Sequence, residues 1–161
     1  MTIDANYEKV RNSPLAMELS DEQSAILAKL VVNRGLKDAE VLIKEGDVSS
    51  DLHVIVSGSL AVTRDSGSGE WIVLHVLRPH DLAGELGFLD NLEHSATLRA
   101  IGPTEIFSLK RDRLEELLNT QPRIVYFVMR AIVREIHGIL RRMNIQHVEL
   151  SNYISKQHGR Y

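Results

Sequence analysis

GELGFLDNLEHSATLRA, residues 84–100, combines a glycine-led helical turn, a polar crossing and the start of a strand. The first N–H groups of a helix have no partner inside the helix, and the positive end of the helix dipole lies behind them, so such a turn favours an anion. Glu85 stands at the mouth of the turn, where a carboxylate can accept hydrogen bonds from ligand hydroxyls, and Ser95 opens the next strand. The stretch therefore predicts a site for a small ligand with an anionic group and hydroxyls.

The residues around this stretch predict an antiparallel sheet. Short β-rich runs between about residues 39 and 109 are divided by turn residues, namely Gly46-Asp47, Ser57-Gly58, DSGSGE at 65–70, Pro79 and Gly102-Pro103. Short strands at this spacing, with tight turns between them, indicate an antiparallel β jelly-roll barrel. The predicted fold class is mainly β with flanking helices.

Two helices are predicted to flank the sheet. Ser20 and Gln23 have the spacing of a capping box, which predicts a short surface helix over residues 20–32. A long helix is predicted from residue 122 onward, and apolar residues recur in it at alternating steps of four and three, as in a coiled coil of about four heptads. This repeat predicts a homodimer whose interface consists of Val125, Met129, Ile132, Ile136, Ile139, Met143, Gln146 and Leu150. A second face is predicted to pack on the barrel, and it consists of Ile124, Phe127, Val128 and Ala131. The alternative is a long helix that packs entirely on its own domain.

Length and charge divide the chain into two parts. The 161 residues suit one domain with an appended element, and the predicted division is 1–121 and 122–161. The first part has 12 Lys and Arg against 20 Asp and Glu, and the second has 7 against 2. A basic segment can bind nucleic acid, but these basic residues are spread along a helix, which favours a dimerising helix with a solvated basic face that complements an acidic body.

Composition excludes several classes of protein. Without cysteine there is no disulfide, thiolate metal site or cysteine nucleophile. The chain has neither an apolar run of about 20 residues nor a secretory signal, so a cytoplasmic protein without a membrane segment is expected. None of the seven histidines forms an i, i+4 pair, so no metal site is predicted. No catalytic triad order, Walker loop or dinucleotide fingerprint is present, and neither catalysis nor a cofactor is expected.

The order of these elements, together with three motifs, resembles the cyclic nucleotide-binding domain family. The motifs are KEGD at 44–47, VSGSLAV at 56–62 and GELGFL at 84–89, and the resemblance covers residues 14–152. It implies a regulatory module that binds cAMP or cGMP, moves its long helix in response and acts on a downstream protein that the sequence does not identify. The ligand-binding positions that the resemblance implies are Gly84, Glu85, Leu86, His94, Ser95 and Ala96.

Three places depart from the family pattern. His94 occupies the position of an arginine that pairs with the cyclic phosphate. Ile139 and Leu140 occupy the positions that read the base, and His80 stands where a glycine is usual. An arginine is a permanently charged two-pronged donor, whereas a histidine with an ordinary pKa of about 6.5 is mostly neutral at pH 7. Loss of a charge-assisted contact of about 1.5–3 kcal/mol predicts binding that is roughly ten- to a hundred-fold weaker.

Position 94 leaves three interpretations. A bound phosphate keeps His94 protonated, so that affinity rises below about pH 6.5. Alternatively, the pocket accepts a different small anion or sugar, or it has lost its ligand and the domain is a dimerising scaffold for other proteins. Only seven residues follow Ile154, too few for a helix-turn-helix domain, so DNA binding is not expected of this chain alone.

Overall fold

Two long antiparallel strands form the centre of the fold in the computed structural model, which describes residues 4–158 and the side chains of 4–156. The elements in chain order are α1 (Tyr7–Arg11), a 3-10 turn (Pro14–Ala16), α2 (Asp21–Ala28), β1 (Val32–Leu36), β2 (Val41–Ile43), β3 (Asp51–Asp65), β4 (Trp71–Leu77), β5 (Leu82–Ala83), α3 (Glu85–Asp90), β6 (Thr97–Lys110), α4 (Arg111–Glu115) and α5 (Pro122–His158). The sheet order is β1-β6-β3-β4, with β2 on β6 and β5 on β3. The predicted divisions 1–121 and 122–161 reach beyond the described residues at both ends and stay predictions.

The strands β3 and β6 are long enough for each to pair with different shorter strands at its two ends. Their pairing shifts register on both sides of Ser57. Next to it, Gly58 has a φ of 81°, and a Cβ there would lie 2.6 Å from the carbonyl oxygen of Pro103, so only glycine fits. One end of the strand pair carries β1 and β5, and the other carries β2 and β4. The predicted antiparallel jelly roll is confirmed, with a sheet that is open at β1 and β4.

The core of the fold contains two apolar clusters. The first lies between the sheet and the helices, and its fully buried side chains include Leu52, Phe107, Ile124 and Ile132. The second lies inside the roll and includes Ile43, Ile55, Ala83 and Leu98. Since Ala83 precedes the 84–100 stretch and Leu98 lies within it, the second cluster anchors both ends of that stretch in the core.

The predicted N-terminal helix begins as expected and ends earlier. The Ser20 hydroxyl accepts a hydrogen bond from the Gln23 N–H at 3.1 Å, and the Gln23 side chain accepts one from the Ser20 N–H at 3.0 Å. The helix ends at Ala28, and Val32, predicted as helical, opens β1 instead. Only Leu36 of β1 is buried, so the sequence of this strand lacks the alternating pattern that would have indicated it.

The first half of α5 packs on its own domain. Ile124 and Val128 are fully buried, as predicted for the face toward the barrel, and Phe127 packs against the same cluster. Glu18 holds this half further through ion pairs with Arg130, at 3.3 Å, and with Arg134. No helix in residues 4–158 is both long and apolar enough to cross a bilayer.

Only part of the predicted dimer interface is exposed in the structure. Ile132, one of the residues predicted for that interface, is fully buried against its own domain. Val125, Met129 and Ile136 pack against the same cluster. From Ile139 onward the apolar side chains of α5 are exposed. The first half of a stripe with heptad spacing therefore packs in the core of its own domain, and the second half, from Ile139 to Leu150, is exposed.

Candidate ligand-binding site

A left-handed glycine opens the short helix α3. Gly84 is its N-cap with φ 80° and ψ 13°. A Cβ at this position would lie 2.7 Å from the carbonyl oxygen of Asp51, on the neighbouring strand β3. Both the positive φ and the close approach require glycine. The chain consequently leaves β5 and enters α3 within one residue, with Glu85 in the first turn of the helix.

All six predicted ligand-binding residues line one cavity of about 240 Å³, namely Gly84, Glu85, Leu86, His94, Ser95 and Ala96. The rest of the lining is mainly apolar and includes Ile43, Val62, Leu77, Leu98 and Ile139. Two other titratable side chains, His75 and Glu93, also face the cavity. Within the described chain no lysine or arginine lines it, so the cavity has carboxylates and imidazoles but no permanent cation.

Glu85 is a partly buried carboxyl at the mouth of α3. Burial raises its pKa above the usual carboxyl value, and a hydrogen bond from its own backbone N–H acts in the opposite direction. A carboxylate here accepts hydrogen bonds from the hydroxyls of a ligand. Such hydrogen bonds would also offset the cost of keeping the charge in a partly buried position.

The KEGD turn positions His94. The His94 N–H donates to the carbonyl oxygen of Asp47 at 2.9 Å, and the Gly46 N–H donates to the carbonyl oxygen of His94 at 2.8 Å. The imidazole packs beneath α3, because a Cβ at Gly87 would lie 3.0 Å from Cε1 of His94. Nε2 of His94 is buried and has no hydrogen-bond partner among residues 4–158. A bound anion or a water molecule would satisfy this nitrogen.

A second histidine lies behind the turn, and the sequence did not indicate it. His53 on β3 is 7% exposed, and its Nδ1 lies 2.7 Å from the Ser108 hydroxyl. Burial, together with His94 and Arg34, lowers the pKa of His53 to about 4. His53 and His94 both line a separate polar cavity of about 320 Å³ on the far side of the turn. The His94 ring is therefore part of the wall between the two cavities, with a neutral imidazole behind it at pH 7.

The structure accounts for the other departures from the family pattern. Ile139 on α5 lines the ligand cavity and offers an apolar contact in place of a hydrogen bond, whereas Leu140 lies outside the lining and is half exposed. His80 has a φ of 76°, in the left-handed region where glycine is favoured. His80 does not line the ligand cavity, so this substitution affects the backbone before the site and not the site itself.

The chain belongs to the cyclic nucleotide-binding domain family, because the model of that family matches residues 33–121, more than half of the chain. The cAMP-dependent protein kinase regulatory subunit of Dictyostelium discoideum is 33% identical over 84 residues, which are 50% of this chain and 26% of that protein. The cyclic AMP receptor protein of Thermus thermophilus is 25% identical over 127 residues, 79% of this chain and 59% of that protein. The chain thus spans less than two thirds of the length of these relatives.

Solved structures agree with this assignment. The Thermus thermophilus catabolite activator protein superimposes with a TM-score of 0.71 at 26% identity and covers 86% of this chain, which in turn covers 63% of that protein. A cyclic nucleotide-binding domain from Methylobacillus flagellatus gives a TM-score of 0.81 at 21% identity over 91% of this chain and 84% of that one, and at this identity it supports the fold alone. The match to the neuropathy target esterase of Drosophila melanogaster, 28% identical, involves 77% of this chain and only 9% of the esterase.

Proposed function

We propose that the chain is a non-enzymatic regulatory module that binds a cyclic nucleotide, cAMP or cGMP, in the cavity beneath α3. The observation that carries the proposal is that one cavity is lined by all six positions that the family motif implies. Two relatives support the ligand class, since one is named as a cAMP-dependent kinase regulatory subunit and the other as a cyclic AMP receptor protein. A cytoplasmic location remains the expectation from the sequence.

Each part of the nucleotide has a matching part of the cavity. The ribose hydroxyls would meet Glu85, the phosphate would meet the N-terminal amides of α3 together with Ser95 and His94, and the base would pack on Ile139. Because no lysine or arginine of the described chain lines the cavity, the phosphate depends on backbone amides and on a protonated His94. Weak binding that strengthens when acid protonates His94 follows from this arrangement.

Helix α5 provides a route from ligand to response. Ile139 lies at the cavity, while the exposed residues that follow it, Met143, Gln146 and Leu150, continue the heptad repeat. We infer that this second half pairs with its copy in a homodimer, and that a ligand in contact with Ile139 shifts the balance between two arrangements of the helix.

A ligand-free scaffold is the second candidate, and it is favoured because none of the described lysines and arginines lines the cavity. Calorimetry with cAMP and with cGMP at pH 6 and pH 7.5, on the wild type and on His94→Arg, separates the two functions. The proposal predicts weak binding by the wild type that strengthens at pH 6, and binding by His94→Arg that is about ten- to a hundred-fold tighter at pH 7.5. Binding by His94→Arg alone would favour the scaffold, and no binding by either protein would end the nucleotide proposal.

A further inference from the structure

A groove of about 480 Å³ lies on the outer surface of the sheet. Val62 and Leu98 line the ligand cavity, whereas their neighbours Thr63 and Thr97 line this groove. Successive side chains of a strand point to opposite faces of a sheet, so the groove and the ligand cavity lie on opposite sides of the same strands. No residue lines both. The groove therefore has no part in the nucleotide site.

Trp71 and Arg99 form one wall of the groove. The guanidinium carbon of Arg99 lies 5.3 Å from the centre of the Trp71 ring, within the range of a cation–π contact. Trp71, the only tryptophan of the chain, is 50% exposed. The Nε of Arg99 is buried and has no hydrogen-bond partner within residues 4–158. The wall thus offers an aromatic surface beside a cation with an unused donor, which suits a ligand that carries both an apolar group and an acceptor oxygen.

The groove continues into an unprotected sheet edge. β4 lies at one edge of the sheet, and its first four residues, 71–74, are large, apolar and about half exposed. Natural proteins usually protect such an edge with lysine, proline or a short strand. β4 has seven residues and contains neither lysine nor proline. An extended peptide can add to such an edge through backbone hydrogen bonds.

Charged residues at the rim suit a peptide with both signs of charge. Glu45 is already paired with Arg64 at 3.6 Å. Asp65 and Glu70 are exposed where the hairpin meets the groove. The cations of the groove include the exposed Lys44 and the deeper Arg99. We propose that the groove and the β4 edge bind an extended peptide segment of a partner protein, with a basic side chain at Asp65 and Glu70 and an acidic side chain at Arg99.

Synthetic peptides test the proposal through the fluorescence of Trp71, the only tryptophan. The probe is acetyl-Lys-Val-Glu-Val-Lys-Val-amide, and the control is the charge-reversed acetyl-Glu-Val-Lys-Val-Glu-Val-amide. The probe is expected to give a saturable change in fluorescence at submillimolar concentration. The control should bind at least about ten-fold more weakly, because that is the loss in affinity expected when a charge-assisted contact is removed. No change up to millimolar probe, or equal binding of the two peptides, would overturn the proposal.

A pair of variants and one further measurement locate the contact. Arg99→Gln is expected to weaken binding of the probe about ten-fold. Arg78 is an exposed arginine outside the groove, so Arg78→Gln should leave binding unchanged. Circular dichroism checks that both variants are folded. Hydrogen exchange should slow, when the probe is bound, at those amides of residues 71–74 that point away from β3, because an added strand would pair with them, whereas the amides that already face β3 should change little. If Arg99→Gln binds the probe as tightly as the wild type and the amides that point away from β3 stay unprotected, the addition of a strand to β4 is contradicted.

Discussion

Acid should destabilise this domain through His53 more than through any exposed histidine. Burial lowers the pKa of His53 from 6.5 to about 4, so the folded state resists a proton that the unfolded chain accepts. Above pH 6.5 both states are neutral and His53 costs nothing. Between pH 6.5 and about 4 the free energy of unfolding falls by about 1.4 kcal/mol per pH unit, and the loss levels off near 3 kcal/mol once both states are protonated.

Urea unfolding at a series of pH values measures this loss. His53→Gln removes the titration and keeps a polar side chain that can reach the Ser108 hydroxyl. Between pH 7 and pH 4.5, the free energy of unfolding should fall by about 2 to 3 kcal/mol less in the variant than in the wild type, whatever the stability of the variant at pH 7. His147→Gln, which removes an exposed histidine of α5, is the matched control and should follow the wild type. Parallel curves for the wild type and His53→Gln would refute the assignment of the acid sensitivity to His53.

Three further substitutions test other parts of the structure. Gly84→Ala should destabilise the fold by about 2 kcal/mol or more in urea unfolding, because a side chain at φ 80° is strained and its Cβ would lie 2.7 Å from the Asp51 carbonyl oxygen. A loss of stability below about 0.5 kcal/mol would contradict this close approach. Ala39→Gly should stabilise by about 0.5 to 1 kcal/mol in the same assay, since Ala39 is exposed and has a φ of 63°. Met143→Lys should weaken self-association in sedimentation experiments without changing stability. Asn144→Lys, which lies off the heptad stripe, should leave self-association unchanged. A wild type that is monomeric at micromolar concentration would exclude the coiled coil.

The sequence predicted those features that depend on neighbouring residues. The capping box of Ser20 and the turn at Gly84 are local patterns, and the structure has both. The ligand cavity was predicted from one contiguous stretch, and all six of its proposed residues line a single cavity. The strand β1 was missed because its burial comes from one residue, Leu36, and its pairing with the distant β6 leaves no pattern in its own sequence.

Features that depend on long-range packing could not be predicted in the same way. His53 contacts Ser108, 55 positions away, and no local motif connects the two. Ile132 follows the same 3.5-residue repeat as Met143, yet the first is buried in its own domain and the second is 57% exposed. Heptad spacing identifies an apolar stripe but not the surface that covers it. Only the position of the domain along α5 determines which part of the stripe is buried.

We propose above all that the cavity beneath α3 binds a cyclic nucleotide. Amide chemical shifts of the ¹⁵N-labelled protein, followed during a titration with cAMP at pH 6, test it most directly. The proposal predicts saturable shift changes concentrated at Gly84, Glu85, Ser95 and Ala96, which line the cavity, and larger changes at equal ligand when His94 is replaced by arginine. A titration to millimolar cAMP that leaves these four amides unmoved, in the wild type and in His94→Arg, would contradict it.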